Sequence, residues 1–300
     1  MLMSNRHSAL DMALLLGLWL VWGYSWIASK LGLSYASALQ MAEYRLSLAL
    51  LTLGGLLLWR RSSWQLPPLW PTLCLGLTQT TGFTLFSTLA LLEAGTGKVT
   101  ILCYTMPFWT LLLARLFLGE HLRPLQWWAV LLAFTGLVCV LTPWQAWPSW
   151  RGDLLALAAG FCWALSAIIA KRLRQKHQVE TLGLTFWQLL FGLLPLYGLS
   201  LFWPQPAVDW QPEFWAILLF NGCLAAGLGW LVWLHLLSRL AAGAAGLNTL
   251  AIPAVALLFA WWQLGDVPSL AEWIGMALIA SALALLATMS YWGERPPLAA

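Results

Sequence analysis

The chain has 300 residues, 61% of them hydrophobic and only 9% charged, with a net charge of +4 and a mean hydropathy of +0.77. Globular chains carry about 25% charged residues, so too few remain here to coat a water-soluble fold, and a bilayer is the solvent this surface requires. Nucleic-acid binding has no support in so small a positive excess.

Apolar stretches of about 20 residues cross a bilayer as helix, and ten are read along the chain: 11–31, 38–58, 70–91, 97–118, 125–142, 153–171, 181–202, 214–237, 244–263 and 270–290. They are long, Leu/Ala-rich and free of period-2 alternation, hence helices rather than strands. Gly, Pro and charged residues fill the turns between them. The first stretch follows Arg6 and is too long for a signal-peptide core, so an uncleaved first helix is expected. Cys74, Cys103, Cys139, Cys162 and Cys223 all lie within spans without metal or redox spacing and read as packing residues.

In the first span, Trp22, Ser25, Trp26 and Ser29 recur at i, i+3, i+4 and i+7, a face too polar for lipid. It suits either solute binding or close helix packing. The second span holds Glu43 and Arg45. An intramembrane charge is a functional hypothesis by default, and Arg45 is a candidate for a substrate carboxylate. Residues at i,i+2 face apart on a helix, so Lys30 is the better partner for Glu43, itself a coupling candidate. In the third span Thr80, Thr84, Ser87 and Thr88 form a polar stripe beside Gln79, although such hydroxyls can satisfy themselves on the backbone. The fourth span begins near Gly97 and carries Tyr104 one turn before Pro107; the ninth begins near Gly243 and carries Asn248 before Pro253. Both prolines read as mid-helix kinks that free a carbonyl, with the glycines as hinges. The sixth span repeats the first-span face as Trp163, Ser166, Ala167 and Ala170.

These echoes are systematic. Trp22, Ser25 and Lys30 recur 141 positions later as Trp163, Ser166 and Lys171. Gly76, Gly97, Pro107, Gly119, Glu120 and Trp127 recur 146 positions later as Gly222, Gly243, Pro253, Gly265, Asp266 and Trp273. With five spans per half, the second half must enter the membrane from the opposite face. The expected fold is therefore an all-α membrane protein of ten transmembrane helices arranged as two inverted five-helix repeats. The expected limits are 1–142 and 153–292, joined by an outer loop at 143–152 and followed by a tail at 293–300. With the N-terminus inside, 11 of the 15 Lys/Arg fall on the cytoplasmic side, including the Lys171 to Lys176 cluster; the positive-inside rule favours this orientation, with both termini cytoplasmic. Most of the 23 Trp flank the spans as an interfacial belt.

Paired Pro107…Phe117-Leu118-Gly119-Glu120 and Pro253…Gln263-Leu264-Gly265-Asp266, with Trp22-Gly23, Tyr44-Arg45-Leu46 and Arg151-Gly152-Asp153-Leu154, resemble the EamA family of the drug/metabolite transporter superfamily over roughly residues 11–290. The resemblance implies an inner-membrane exporter of small metabolites, amino acids or their relatives foremost, working by alternating access without ATP. It also implies a central cavity between the halves, with the fifth and tenth helices peripheral. Asp266 stands where Glu is commoner in the family, and Gln188 stands where the first half has Arg45.

The candidate substrate-binding residues are Trp22, Ser25, Trp26, Thr80, Thr84, Tyr104, Trp163, Ser166 and Asn248. Arg45 and Glu43 are charge or coupling candidates, and Pro107, Pro253, Gly97 and Gly243 gating candidates. No nucleotide-binding signature, metal-ligand cluster or nucleophile–base set is found in the sequence, so no cofactor and no enzymatic activity are expected. The expected partners are a small-molecule substrate and the lipid bilayer. Efflux of hydrophobic cations, which would need a deep carboxylate, is the alternative substrate class; a membrane scaffold or receptor is the alternative outside transport.

Overall fold

The computed structural model describes residues 2–93, 99, 102–120, 124–141, 150–240, 242–264 and 269–293. Among these residues there is no strand, and the helices follow the ten expected spans. The first hairpin joins α1 (Leu2–Gly32) to α2 (Ala38–Arg60), where Ser37 and Gln40 form a capping box. Helix α3 covers 69–93 as Leu69–Leu75, a π-helical stretch Gly76–Gly82, and Phe83–Glu93. Helices α4 (Met106–Leu118) and α5 (Pro124–Leu141) complete the first half. The second half holds α6 (Trp150–Lys176), α7 (Thr181–Ser200), α8 (Pro212–Arg239) with a π-helical stretch Phe220–Leu228, α9 in two pieces (Ala242–Asn248 and Ala251–Leu264), and α10 (Leu270–Gly293).

Two boundaries differ from expectation. At about 1.5 Å per residue, the 31 residues of α1 overrun a hydrocarbon core of about 30 Å, so the helix starts well before residue 11. Helix α6 begins at Trp150, inside the expected loop, with Asp153 in its first turn, where the helix dipole favours an acid. Helices α1, α2, α6, α7, α8 and α9 hold stretches long and apolar enough to cross a membrane. The shorter apolar helices Met106–Leu118, Trp127–Cys139 and Trp273–Ala282 lie in α4, α5 and α10. Leu51, Leu58, Leu201 and Phe202 are exposed, as a lipid-facing surface requires; the chain is a multi-pass membrane protein.

The helices exchange partners between halves. Helix α1 packs on the Ala251–Leu264 piece of α9, and α6 packs on α4. Helix α2 crosses the π-stretch of α8, and α7 crosses the π-stretch of α3. Helices α5 and α10 pack on each other, and no helix of the other half packs more extensively on either. Each first helix thus meets the other half's fourth, and each second helix meets the other half's third. This is the packing of two repeats related by a pseudo-twofold axis.

The crossings work because glycine removes the side chain between backbones. A Cβ on Gly76 would lie 2.4 Å from the Gln188 carbonyl oxygen, and one on Gly222 would lie 2.8 Å from that of Arg45. Gly76 and Gly222 are repeat mates, and so are the two carbonyls they meet. A π-turn holds an extra residue and often marks a functional site; here each one widens its helix where the neighbour presses in. Gly192 completes the α3–α7 crossing, since a Cβ there would sit 2.2 Å from the Thr80 Cβ.

Overpacking a closed interface costs about 1–3 kcal/mol or more. Gly76→Ala and Gly222→Ala should each lower the thermal unfolding midpoint in detergent, whereas Gly17→Ala, which meets nothing within 4 Å, should not. Equal midpoints for all three would contradict backbone-to-backbone crossings.

Candidate functional site

A cavity of about 140 Å³ lies between the halves, walled by α1, α2, α3, α6, α8 and the broken helices α4 and α9. Its wall uses the C-terminal part of α1, the N-terminal part of α2 and the Phe83–Thr88 end of α3. All of these lie toward the membrane face opposite the N-terminus, so the cavity reaches that face and ends near mid-membrane.

The floor is indole. Trp163 lies with its ring centroid 5.5 Å from Trp22, 5.9 Å from Trp233 and 6.1 Å from Trp230, and Phe83 is edge-on to it at 4.8 Å. Trp22 is fixed by its Nε1–H, which donates to the Ala225 carbonyl at 2.9 Å. Gly229 makes room for that indole, since a Cβ there would lie 2.7 Å from Nε1. Higher in the wall, Trp26 Nε1–H donates to the Tyr104 hydroxyl at 2.9 Å. These bonds hold large flat side chains in single orientations, as a preformed site requires.

Above the floor the wall is polar and cationic. Ser25, Ser29, Thr84, Ser87 and Thr88 face the cavity, together with Lys30 and Arg45. Arg45 has a buried Nε without a partner, and neither cation forms a hydrogen bond or ion pair among the described residues. No Asp or Glu is among the lining residues. Such a site offers an anion two charges that no group among the described residues neutralises.

The chain breaks its helices beside the cavity: a turn at Tyr104-Thr105 separates helical residues 102 and 103 from α4, and α9 is interrupted at Thr249-Leu250. The prolines are therefore not mid-helix kinks: Pro107 lies in the first turn of the helix that restarts at Met106, and Pro253 follows the restart at Ala251. The turns before the prolines close with i to i−3 bonds, Thr105 N–H to Leu102 O (3.2 Å) and Leu250 N–H to Leu247 O (3.1 Å), while neither proline can donate to its own i−4 carbonyl. Gly160 fits against the first break, where a Cβ would lie 2.8 Å from the Cys103 carbonyl.

Toward the N-terminal face the structure is closed. Lys171 Nζ donates to the carbonyls of Leu237, at 3.1 Å, and Leu240, capping α8. A Glu120 oxygen accepts from the Ala242 N–H at 3.0 Å, capping α9. Asp11 of α1 pairs with His235 and Arg239 of α8, each at 3.4 Å.

Of the expected substrate residues, Trp22, Ser25, Trp26, Thr84, Tyr104 and Trp163 line the cavity, while Thr80, Ser166 and Asn248 do not. Thr80 is buried against Gly192. Ser166 is buried and donates to the Trp163 carbonyl. Asn248 ends the first piece of α9. Glu43 departs from its expected pairing with Lys30: it is buried and accepts from Ser200 of α7, so Arg45 faces the cavity and Glu43 does not. Gly243 lies at the start of α9, and Gly97 is outside the described residues. Residues not anticipated as a set are Met41, Ala42, Phe83, Met106, Ala226 and Ile252. Being apolar, they carried no signal apart from their repeat spacing.

The profile of the EamA-like transporter family matches residues 10–142 and 150–288. The chain is 27% identical to the uncharacterized transporter YoaV of Bacillus subtilis (strain 168), over 87% of this chain and 90% of that protein. It is 33% identical to a riboflavin transporter of Rhizobium johnstonii, over 65% of this chain and 63% of that protein. A solved crystal structure superposes with a TM-score of 0.81 at 19% identity, covering 96% of this chain and 99% of that one; at this identity the likeness is one of fold.

A buried guanidinium nitrogen without a partner lowers stability. Arg45→Met is expected to leave the thermal midpoint unchanged or raise it. Trp22→Phe, which orphans the Ala225 carbonyl, is expected to lower stability by about 1 kcal/mol. Thermal unfolding in detergent checks both, and a marked fall for Arg45→Met would mean that the guanidinium holds a structural bond.

Proposed function

The chain belongs to the EamA-like transporter family, and from that premise we propose that it exports small organic anions or zwitterions, amino acids foremost, by alternating access across the bacterial inner membrane. The observation that carries this reading is the cavity's charge: Lys30 and Arg45 face it unneutralised, with no carboxylate among its lining residues. A solute carboxylate would sit on the cations, and its apolar part against Trp22, Trp26 and Trp163. The same charge argues against the cation-efflux alternative, which needs a cavity carboxylate. A water-accessible cavity with unpaired charges is likewise poor equipment for a scaffold.

A second reading has one observation of its own. The indole floor suits stacking of a flat heteroaromatic ring, and a relative bears the name riboflavin transporter. Flavin-like solutes are therefore the runner-up class. Gating belongs to the broken helices α4 and α9, with Pro107 and Pro253 holding the restart points. Because Glu43 is engaged by Ser200 away from the cavity, carriage driven by the solute's own gradient is favoured over coupling through Glu43. Cytoplasmic termini follow from the Lys/Arg distribution, and the cavity then opens to the outside.

Counterflow in proteoliposomes loaded with a mixed amino-acid pool, with riboflavin in parallel and with or without a pH gradient, tests the proposal. Exchange of a carboxylate-bearing amino acid independent of the gradient is expected; exchange of organic cations alone would overturn it. Losing one charge-assisted bond of about 1.5–3 kcal/mol should make Arg45→Gln and Lys30→Gln each weaken exchange by about 10–100-fold. Glu43→Gln should leave exchange intact.

A further inference from the structure

The repeat spacing translates the open cavity residue by residue into the other half. The offset is 141 positions in the first helices, 143 in the second, and 146 in the third and fourth. Three pairs of cavity residues map onto one another: Trp22 with Trp163, Thr84 with Trp230, and Met106 with Ile252. They straddle the pseudo-twofold axis and form the deepest part of the site. The remaining wall maps onto residues that do not line this cavity. Ser25 becomes Ser166, Lys30 becomes Lys171, Ala42 becomes Thr185, Arg45 becomes Gln188, and Ala225 and Ala226 become Gln79 and Thr80.

A second observation, independent of the mapping, points to the same places. Ser166, Thr185, Gln188, Gln79 and Thr80 are all fully buried. Both amide atoms of Gln188, both of Gln79 and the hydroxyl of Thr80 lack any hydrogen-bond partner. Burying such a group unsatisfied destabilises a fold, a cost that packing alone does not explain. The mapped surface therefore holds polar side chains for which this conformation has no use. Its far end is shut by Lys171 on the Leu237 and Leu240 carbonyls.

We propose that Gln188, Thr185, Ser166, Lys171, Gln79 and Thr80 form a second binding vestibule, opening to the N-terminal face when the halves exchange conformations. This rests on the alternating access of the proposed function and takes the same class of solute, an organic anion or zwitterion. By the same offset Leu33 becomes Arg174, so the vestibule carries two cations, Lys171 and Arg174, although Gln188 replaces Arg45.

Thiol labelling from one face at a time tests the vestibule. Thr185→Cys, Gln188→Cys and Ala42→Cys are compared with the chain itself, whose own cysteines set the background. The chain carries an N-terminal tag whose protease sensitivity identifies each face, and the reagent is a membrane-impermeant sulfonated thiosulfonate. Labelling follows thiolate access, so T185C and Q188C should react about tenfold or more above background from the N-terminal face, and A42C from the opposite face. Adding Lys171→Gln, which releases the α8 carbonyls, should speed labelling of Q188C. Background labelling of T185C and Q188C, with and without K171Q, while A42C reacts, would overturn the proposal. So would reaction of both from the opposite face alone. Labelling from the N-terminal face without exchange of amino acids or riboflavin would keep the vestibule and remove the assigned solute; exchange without such labelling would keep the transporter and remove the vestibule.

Discussion

The structure depends on two helix crossings at which main chain touches main chain. Gly76 against the Gln188 carbonyl and Gly222 against that of Arg45 bring α3 onto α7 and α2 onto α8. In a bilayer no hydrophobic force drives helices together, and small residues that permit close approach supply the packing instead. Both crossings fall within π-helical turns, and both leave the side chain of the touched residue turned elsewhere. The carbonyl of Arg45 serves the crossing while its guanidinium serves the cavity.

From these crossings the site follows. They fix α2 and α8 so that Arg45 and Ala225 share the cavity, and Ala225 in turn anchors the Trp22 indole. Trp22 then meets Trp163 and Trp233, closing the floor. Below that floor the sealing contacts are of a different kind, mainly polar groups on helix ends. Lys171 and Glu120 each satisfy backbone groups that a helix terminus leaves open. A floor of rings and a seal of caps thus lie at different levels along the same helices.

Much of the fold was legible in the sequence because a bilayer imposes a length and an apolar composition on every span, and because the echoes at 141 and 146 positions survive in residues that cannot easily change. Trp22, Ser25 and Trp26 were legible as one helical face. Thr80 was read with Thr84 because ideal helices align residues four apart, but the π-turn at Gly76–Gly82 breaks that phase and rotates Thr80 toward α7. Nothing in the residue types announces a π-turn. The partner of Glu43 was illegible for a different reason: Ser200 lies 157 positions away, and only the folded interface brings it near. The prolines were visible, but whether each bends a helix or restarts one depends on what fills the gap, here Gly160 against the Cys103 carbonyl.

Gly160, Gly76 and Gly222 share a further property. At each, the contact that lets helices approach or a broken helix fit is made by atoms every amino acid possesses. Substitutions on the opposing strip of helix leave those atoms in place, so the joints of this fold do not encode what passes between them. The cavity wall is built from different atoms of the same helices and can be rewritten one side chain at a time. A duplicated scaffold of this kind can keep its mechanics while its cargo diverges.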